Sequence, residues 1–299
     1  SDTPEATALA AVRALPAVAA ARLEAFALLS LRAHNPVAAR RAIDEAMVLR
    51  QAIGDAVALA RTGALAAEVA LADGDPVAAA ALAQAIDDGE HAPADALVAG
   101  VLVAGLADNT RGRSIATATV NLARFDAVAS VAHAASLPAQ VALALARAEA
   151  LASLDQAAAA IAAVAQAQKL ATTSPMLRSS ARVAAAEAAL ALRLGDPTAA
   201  LGHGKRALEL AAKASDRRAR AEALVVVGGA LARLGRLDEA ALAFGHGHDE
   251  AAGLTNGTVA VEALIAHGEL ARRAGDVVHA GALFERARDA ARKRGATGL

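Results

Sequence analysis

The side chains in this 299-residue chain that could do chemistry are eight histidines, 31 acidic and 30 basic residues. Their tightest grouping is His246-Gly247-His248-Asp249. Imidazoles beside a carboxylate are what a zinc-like ion takes as ligands. On a helix, however, positions i and i+2 point apart, so the two rings cannot easily close on one ion. His203 and His279 fall in the neighbouring second helices, and all of these read as solvated or capping histidines. Asp87-Asp88 with Glu90-His91 offers carboxylates for acid–base work, but it stands just before Pro93, where a helix ends in a polar loop. Lys213, Arg217, Arg218 and Arg220 could hold a phosphate, yet Asp216 and Glu222 balance them, and the cluster reads as a solvated loop. Gly202-His203-Gly204-Lys205 lacks the spacing and the preceding strand of a phosphate-binding loop. No serine sits in a recognisable nucleophile elbow. Zero cysteines remove thiol catalysis, disulfides and thiolate-bound metal. The reading is therefore of a non-enzyme with no cofactor and no metal.

The elements that would position any site are helices. The chain is 56% hydrophobic with mean hydropathy +0.38, but much of that is alanine, the strongest helix former. Arg, Asp or Glu interrupts nearly every long apolar run, so no membrane-spanning stretch is expected. Net charge is −1, which gives no global field toward nucleic acid or anionic membrane. With four Phe and no Trp or Tyr, base-stacking platforms are absent and direct nucleic-acid binding is not expected. The cysteine-free composition fits a reducing cytoplasm. Ser1-Asp2-Thr3-Pro4-Glu5 is no signal peptide and reads as a helix start, with Asp2 or Thr3 as cap.

A turn grammar recurs along the chain. His34-Asn35-Pro36, Gly74-Asp75-Pro76 and Gly195-Asp196-Pro197 each end one helix and start the next. Glycine closes a helix in the left-handed conformation, Asp caps the next, and Pro occupies its first position. With Gly235 and Gly275 the turns fall at 34, 74, 195, 235 and 275, so the period is 40 and the gap of 121 holds two more. One is expected at Ser153-Leu154-Asp155 and the other within Asp108–Arg113. Seven helical pairs result, after a short capping helix over 1–15 that Pro16 separates from the rest. The second helix of the third pair, about Ser114 to Ala135, is long and contains Ala123-Arg124-Phe125-Asp126, so a kink or split is expected there. Small residues (Gly228, Gly268, Ala188 and Ala67 before the turns; Ala39, Ala79, Ala200, Ala240 and Ala280 after them) let paired helices approach closely. Leu23, Phe26 and Leu31 are expected on a buried face, with Phe26, Phe244 and Phe284 filling gaps between pairs.

In the last two units the small residue (Gly228, Gly268), turn glycine (Gly235, Gly275), second-helix alanine (Ala240, Ala280) and following aromatic (Phe244, Phe284) resemble the tetratricopeptide repeat. The early Trp and mid-helix Tyr of that family are replaced by Leu224 and Leu231, and by Leu264 and Ala271. The 40-residue period, and the closing stretch Leu283–Ala296, look like the sensor region of LuxR-type bacterial transcriptional regulators related to the maltose regulator. That resemblance implies an all-α, right-handed superhelical solenoid of about seven pairs over 1–299, with divergent repeats over 16–135 and better-preserved ones over 136–299. It also implies nucleotide-binding and DNA-reading flanking domains, neither of which this chain contains. In such an array the first helices line the concave face.

The concave positions then include Arg61, Glu68, Arg182, Arg193, Glu222, Val225, Arg233, Glu262, Glu269 and Arg272, with Glu24, Arg32, Ile265 and Arg273 beside them. Val141, Ala144, Ala148 and Leu151 would give the groove an apolar centre. A roomy apolar floor with a few charges suits a small molecule or an amphipathic peptide or protein segment. The expected function is a non-catalytic, ligand- or partner-sensing module of a bacterial transcriptional regulator. The alternative is a structural or designed helical-repeat scaffold, or an interaction adaptor without a small-molecule ligand.

Overall fold

A computed structural model describes residues 4–33, 35–87, 92–173, 176–252, 254 and 258–292, with side chains from residue 15 on and not at 87. The expected caps at Asp2 and Thr3, His34, the group Asp88, Glu90 and His91, and the last residues of Leu283–Ala296 lie outside them. The described residues form fourteen α-helices, one 3-10 turn (Ala132–Ala134) and no strand. They follow one another as consecutive pairs, an all-α helical-repeat fold. No helix among them is long and apolar enough to cross a membrane. By its contacts the chain divides into two compact units, 1–108 and 109–299.

The capping logic read from the sequence operates at most turns. Asn35, Asp55, Asp75, Asp196, Asp216 and Asp276 each accept a hydrogen bond from the backbone N–H three residues on, at 2.8–3.1 Å. Gly74, Gly195, Gly235 and Gly275 all have φ between 76° and 87°, where a Cβ would be strained. Asp155 and Ser215 adopt the same left-handed conformation without being glycine.

Unit 1 contains α1 (Pro4–Arg32), α2 (Pro36–Ile53), α3 (Ala56–Ala72), α4 (Pro76–Asp87) and most of α5 (Ala94–Arg111). A separate helix over 1–15 is not what forms: α1 runs unbroken through Pro16. Proline removes one helical hydrogen bond, but alanine-rich flanks with strong helix propensity carry the helix across it. The buried stripe of α1 is Ala20, Leu23, Ala27 and Leu31. Phe26 is 54% exposed, because it sits one position, about 100° of rotation, off that stripe. Ile43 and Val69 complete the core below it.

Unit 2 contains the end of α5, then α6 (Ile115–Ala127), α7 (Leu137–Ser153), α8 (Ala157–Thr173), α9 (Leu177–Arg193), α10 (Pro197–Lys213), α11 (Arg217–Arg233), α12 (Leu237–Ala252), α13 (Thr258–Arg273) and α14 (Val277–Arg292). The third pair is split as expected. Helix α6 includes Ala123–Asp126 and ends just after, at Ala127; turns and the 3-10 segment lead on to α7. The small residues are where the helices meet. A Cβ on Gly228 would stand 2.7 Å from the Phe244 ring, and one on Gly268 2.7 Å from the Phe284 ring. Both phenylalanines thus pack over the glycine of their own hairpin rather than only between pairs. Ala240 and Ala280 are buried beside them.

Candidate functional site

Within unit 2 the first helices of successive pairs touch one another, α7 on α9, α9 on α11 and α11 on α13. Packed helices lie 8–10 Å apart, so a flat row would put α7 and α13 roughly 25–30 Å apart. Arg113 rules out a flat row. One of its terminal nitrogens lies 3.3 Å from a Glu149 carboxylate oxygen on α7 and 3.0 Å from one of Glu262 on α13. A single guanidinium can reach both only if the row curves, so that its two ends face a common inner side.

The local sequence explains why Arg113 can do this. It sits in the short turn between α5 and α6, fastened on both sides. The Thr117 hydroxyl donates to the Gly112 carbonyl at 3.0 Å, and Ser114 caps α6 by accepting from the Thr117 N–H, also at 3.0 Å. An ion pair between Arg147 and Asp126, with contacts of 2.7 and 2.8 Å, ties α6 to α7. The turn is therefore fixed, and only the arginine side chain reaches across.

Five other charged groups join this network. Arg218 and Glu222, one turn apart on α11, pair at 2.8 Å. Next to them, Asp216 caps α11 through one carboxylate oxygen. Its other oxygen is buried without a hydrogen bond, 3.6 and 3.8 Å from the Nε atoms of Arg178 and Arg182 on α9. Glu262 differs from Glu24, Glu209, Glu239 and Glu269, whose pKa values are lowered, in the direction of its shift. Burial, and then the like charges of Glu149 and Glu222, push its pKa up, against Arg113 and Arg218, which pull it down. About a third of its side chain still meets water. Conversely, Glu222 first and then burial act on Arg218, with the net effect that its pKa is raised.

Of the sequence-derived positions, the structure brings Glu222, Glu262 and Arg182 to this network. Arg233 donates to the Leu192 carbonyl at the end of α9. Arg193 is exposed at the last residue of α9, and Glu269 pairs with Arg272 at 2.7 Å on the last turns of α13. Val225 is half-buried against two core clusters. Arg61 and Glu68 are exposed on α3, in unit 1. Glu24 joins a part-buried ion pair of unit 1 rather than a groove. The apolar floor expected from Val141, Ala144, Ala148 and Leu151 does not form: all four are buried in core clusters with α8. They occupy the stripe that α7 needs for packing, which leaves Glu149 outside. Arg113 and Glu149 escaped the sequence reading as site residues, and Arg218 entered it only within the basic cluster read as a solvated loop. A fixed register along each first helix skips them, and Arg113 lies on no first helix at all.

The other candidates resolve locally. Lys213 pairs with Glu209, and Arg217 and Arg220 both pair with Glu250, so the basic cluster splits between two faces of α11. That second face borders an open cavity of about 720 Å³ between α10, α11 and α12, where His246 also lies. His248 approaches the Ala260 carbonyl at 3.4 Å, and His203 pairs with Glu187 at 3.2 Å. His267 and His279 meet edge to face, with centroids 5.4 Å apart. Burial, then His279 and Arg286, lower the His267 pKa. Among the described residues no group of three or more histidine, aspartate or glutamate side chains is placed to hold a metal ion.

No protein-family model matches the chain, and no curated protein matches it in sequence. Solved structures do match in shape. A Rap protein complexed with competence and sporulation factor superposes with a TM-score of 0.65 at 15% identity, over 92% of this chain and 77% of that one. Aspartyl phosphate phosphatase F from Bacillus subtilis gives 0.61 at 14%, over 96% and 74%. The apo form of RapI gives 0.50 at 8%, over 90% and 75%. At these identities the likeness extends to the fold: a tetratricopeptide-like array of helical pairs, of the kind those Rap proteins share.

Proposed function

We propose that the inner face of unit 2 is a non-catalytic binding surface for a peptide or protein segment. The observation that carries this is Arg113, held by Glu149 and Glu262 at once, because it shows four first helices curving onto one charged face. Charged side chains that face one another across a concavity, instead of pointing into bulk solvent, are a recognition surface waiting for a complementary segment. One of the structures sharing the fold is a complex with competence and sporulation factor, which supports binding as this architecture's use. The finer setting we propose is a sensing array of a LuxR-type bacterial transcriptional regulator, on the strength of the Gly228, Gly235, Ala240 and Phe244 pattern and its repeat at Gly268, Gly275, Ala280 and Phe284.

A displayed library of random dodecapeptides, selected against the full chain, tests the reading. Selection on the parent protein should enrich binders that the triple variant Glu149→Gln, Glu222→Gln, Glu262→Gln no longer retains. Equal enrichment on both proteins, or none on the parent, would contradict it.

A further inference from the structure

We propose that Arg113 is a tethered occupant of the binding face: it fills a cation subsite between Glu149 and Glu262 and latches α7 to α13, so that a partner's cationic side chain enters by displacing it. This deepens the binding reading above and rests on it.

Charge balance is the first support. The groups facing Glu262 are the carboxylates of Glu149 and Glu222 and the guanidiniums of Arg113 and Arg218. Counting Glu262, three carboxylates face two cations. When Arg113 withdraws, three carboxylates face Arg218 alone, and Arg218 is already committed to Glu222 at 2.8 Å. The vacated position demands a replacement cation. A guanidinium or ammonium on a partner segment meets that demand, whereas a carboxylate or phosphate would add to the repulsion.

Exposure is the second support. Arg113 and Glu149 are 52% and 56% exposed, so the arginine's contact with Glu149 is solvent-screened and holds weakly. A permanent brace would be drier. The third is geometry. The backbone around Arg113 is fixed by Ser114 and Thr117, so releasing the side chain frees α7 from α13 without unfolding the turn. A ligand that prefers the released state shifts the array toward it by its difference in affinity for the two states.

Because the chain has no cysteine, a pair of introduced cysteines can be spin-labelled cleanly. Gln168→Cys on α8 and Ala282→Cys on α14 are exposed and ride on the hairpins of α7 and α13. Double electron–electron resonance should show a longer, broader distance in Arg113→Ala than in the parent. Glu149→Gln/Glu262→Gln removes the same contacts without touching the turn, and should match it. An acetylated, amidated hexapeptide Ala-Ala-Arg-Ala-Ala-Ala should bind Arg113→Ala about tenfold more tightly than the parent, with no such gain for its neutral citrulline counterpart. Distances unchanged in both variants overturn the latch. Distances that lengthen while the two peptides bind Arg113→Ala alike overturn the cation subsite. Neither result removes the general binding reading, which the library selection decides separately.

Discussion

Each unit contains an arginine that ties helices together through carboxylates, and the two do opposite things. In unit 1, Arg50 on α2 grips both oxygens of Glu24 on α1, at 2.8 and 3.1 Å, while the Thr62 hydroxyl of α3 donates to Glu24 at 2.6 Å. The side chains are largely dry: Arg50 is 12% exposed and Glu24 24%. One carboxylate is matched by one guanidinium in two-pronged geometry, the arrangement in which an ion pair is strongest. In unit 2, one nitrogen of Arg113 is shared between a half-exposed carboxylate, Glu149, and one about a third exposed, Glu262, with a third carboxylate nearby. Their proton affinities separate accordingly. Burial pushes Glu24 up, but Arg50 and Thr62 outweigh it and hold its pKa below the ordinary value. Burial and like charge leave Glu262 above it. A satisfied carboxylate braces helices; an under-satisfied one is left to meet something else.

The largest effect should come from breaking the brace. Arg50→Ala strands a partly buried Glu24 carboxylate and is expected to cost about 2–4 kcal/mol, read by chemical denaturation of the full chain. Next comes apolar packing, which holds the hairpins of unit 2. Gly228→Ala places a methyl 2.7 Å from the Phe244 ring and should cost about 1–3 kcal/mol, with partial rescue by Phe244→Leu. The smallest effect should have the opposite sign. A carboxylate with a raised folded pKa contributes most below its unfolded value, and that contribution is lost as pH rises through the folded one. Glu262→Gln should therefore match the parent in acid and melt slightly higher at neutral pH. Glu24 runs the other way: its contribution is present above the ordinary carboxylate range and fades as pH falls through its lowered pKa. Melting curves from about pH 2 to about pH 8 separate the two.

These contrasts also explain how much was legible in the sequence. The turns at Gly74, Gly195, Gly235 and Gly275, their aspartate caps and the small residues that face Phe244 and Phe284 are local rules, each visible within about ten residues. The seven pairs and the split after Phe125 follow from them. Helix α1 was misread because strong helix formers on both sides of Pro16 offset the proline's lost hydrogen bond and carry the helix through it. Site geometry depends on curvature, which no single repeat contains. Glu222 and Glu262 were found because they recur 40 residues apart on first helices. Arg113 was not, since its partners are 36 and 149 residues away and meet only when α7 and α13 curve toward each other. Packing of α7 on α8 takes Val141 and Leu151 into the core and leaves Glu149 on the open face.

The most direct test takes one peptide from the library selection and measures its Kd and the protein's Tm in two variants side by side. Glu149→Gln/Glu262→Gln should abolish binding while Tm stays near that of the parent. Arg50→Ala should lower Tm sharply while the Kd, measured well below the transition, is unchanged. Binding retained by the glutamate variant, or lost equally in Arg50→Ala, would contradict the assignment of recognition to the inner face of unit 2.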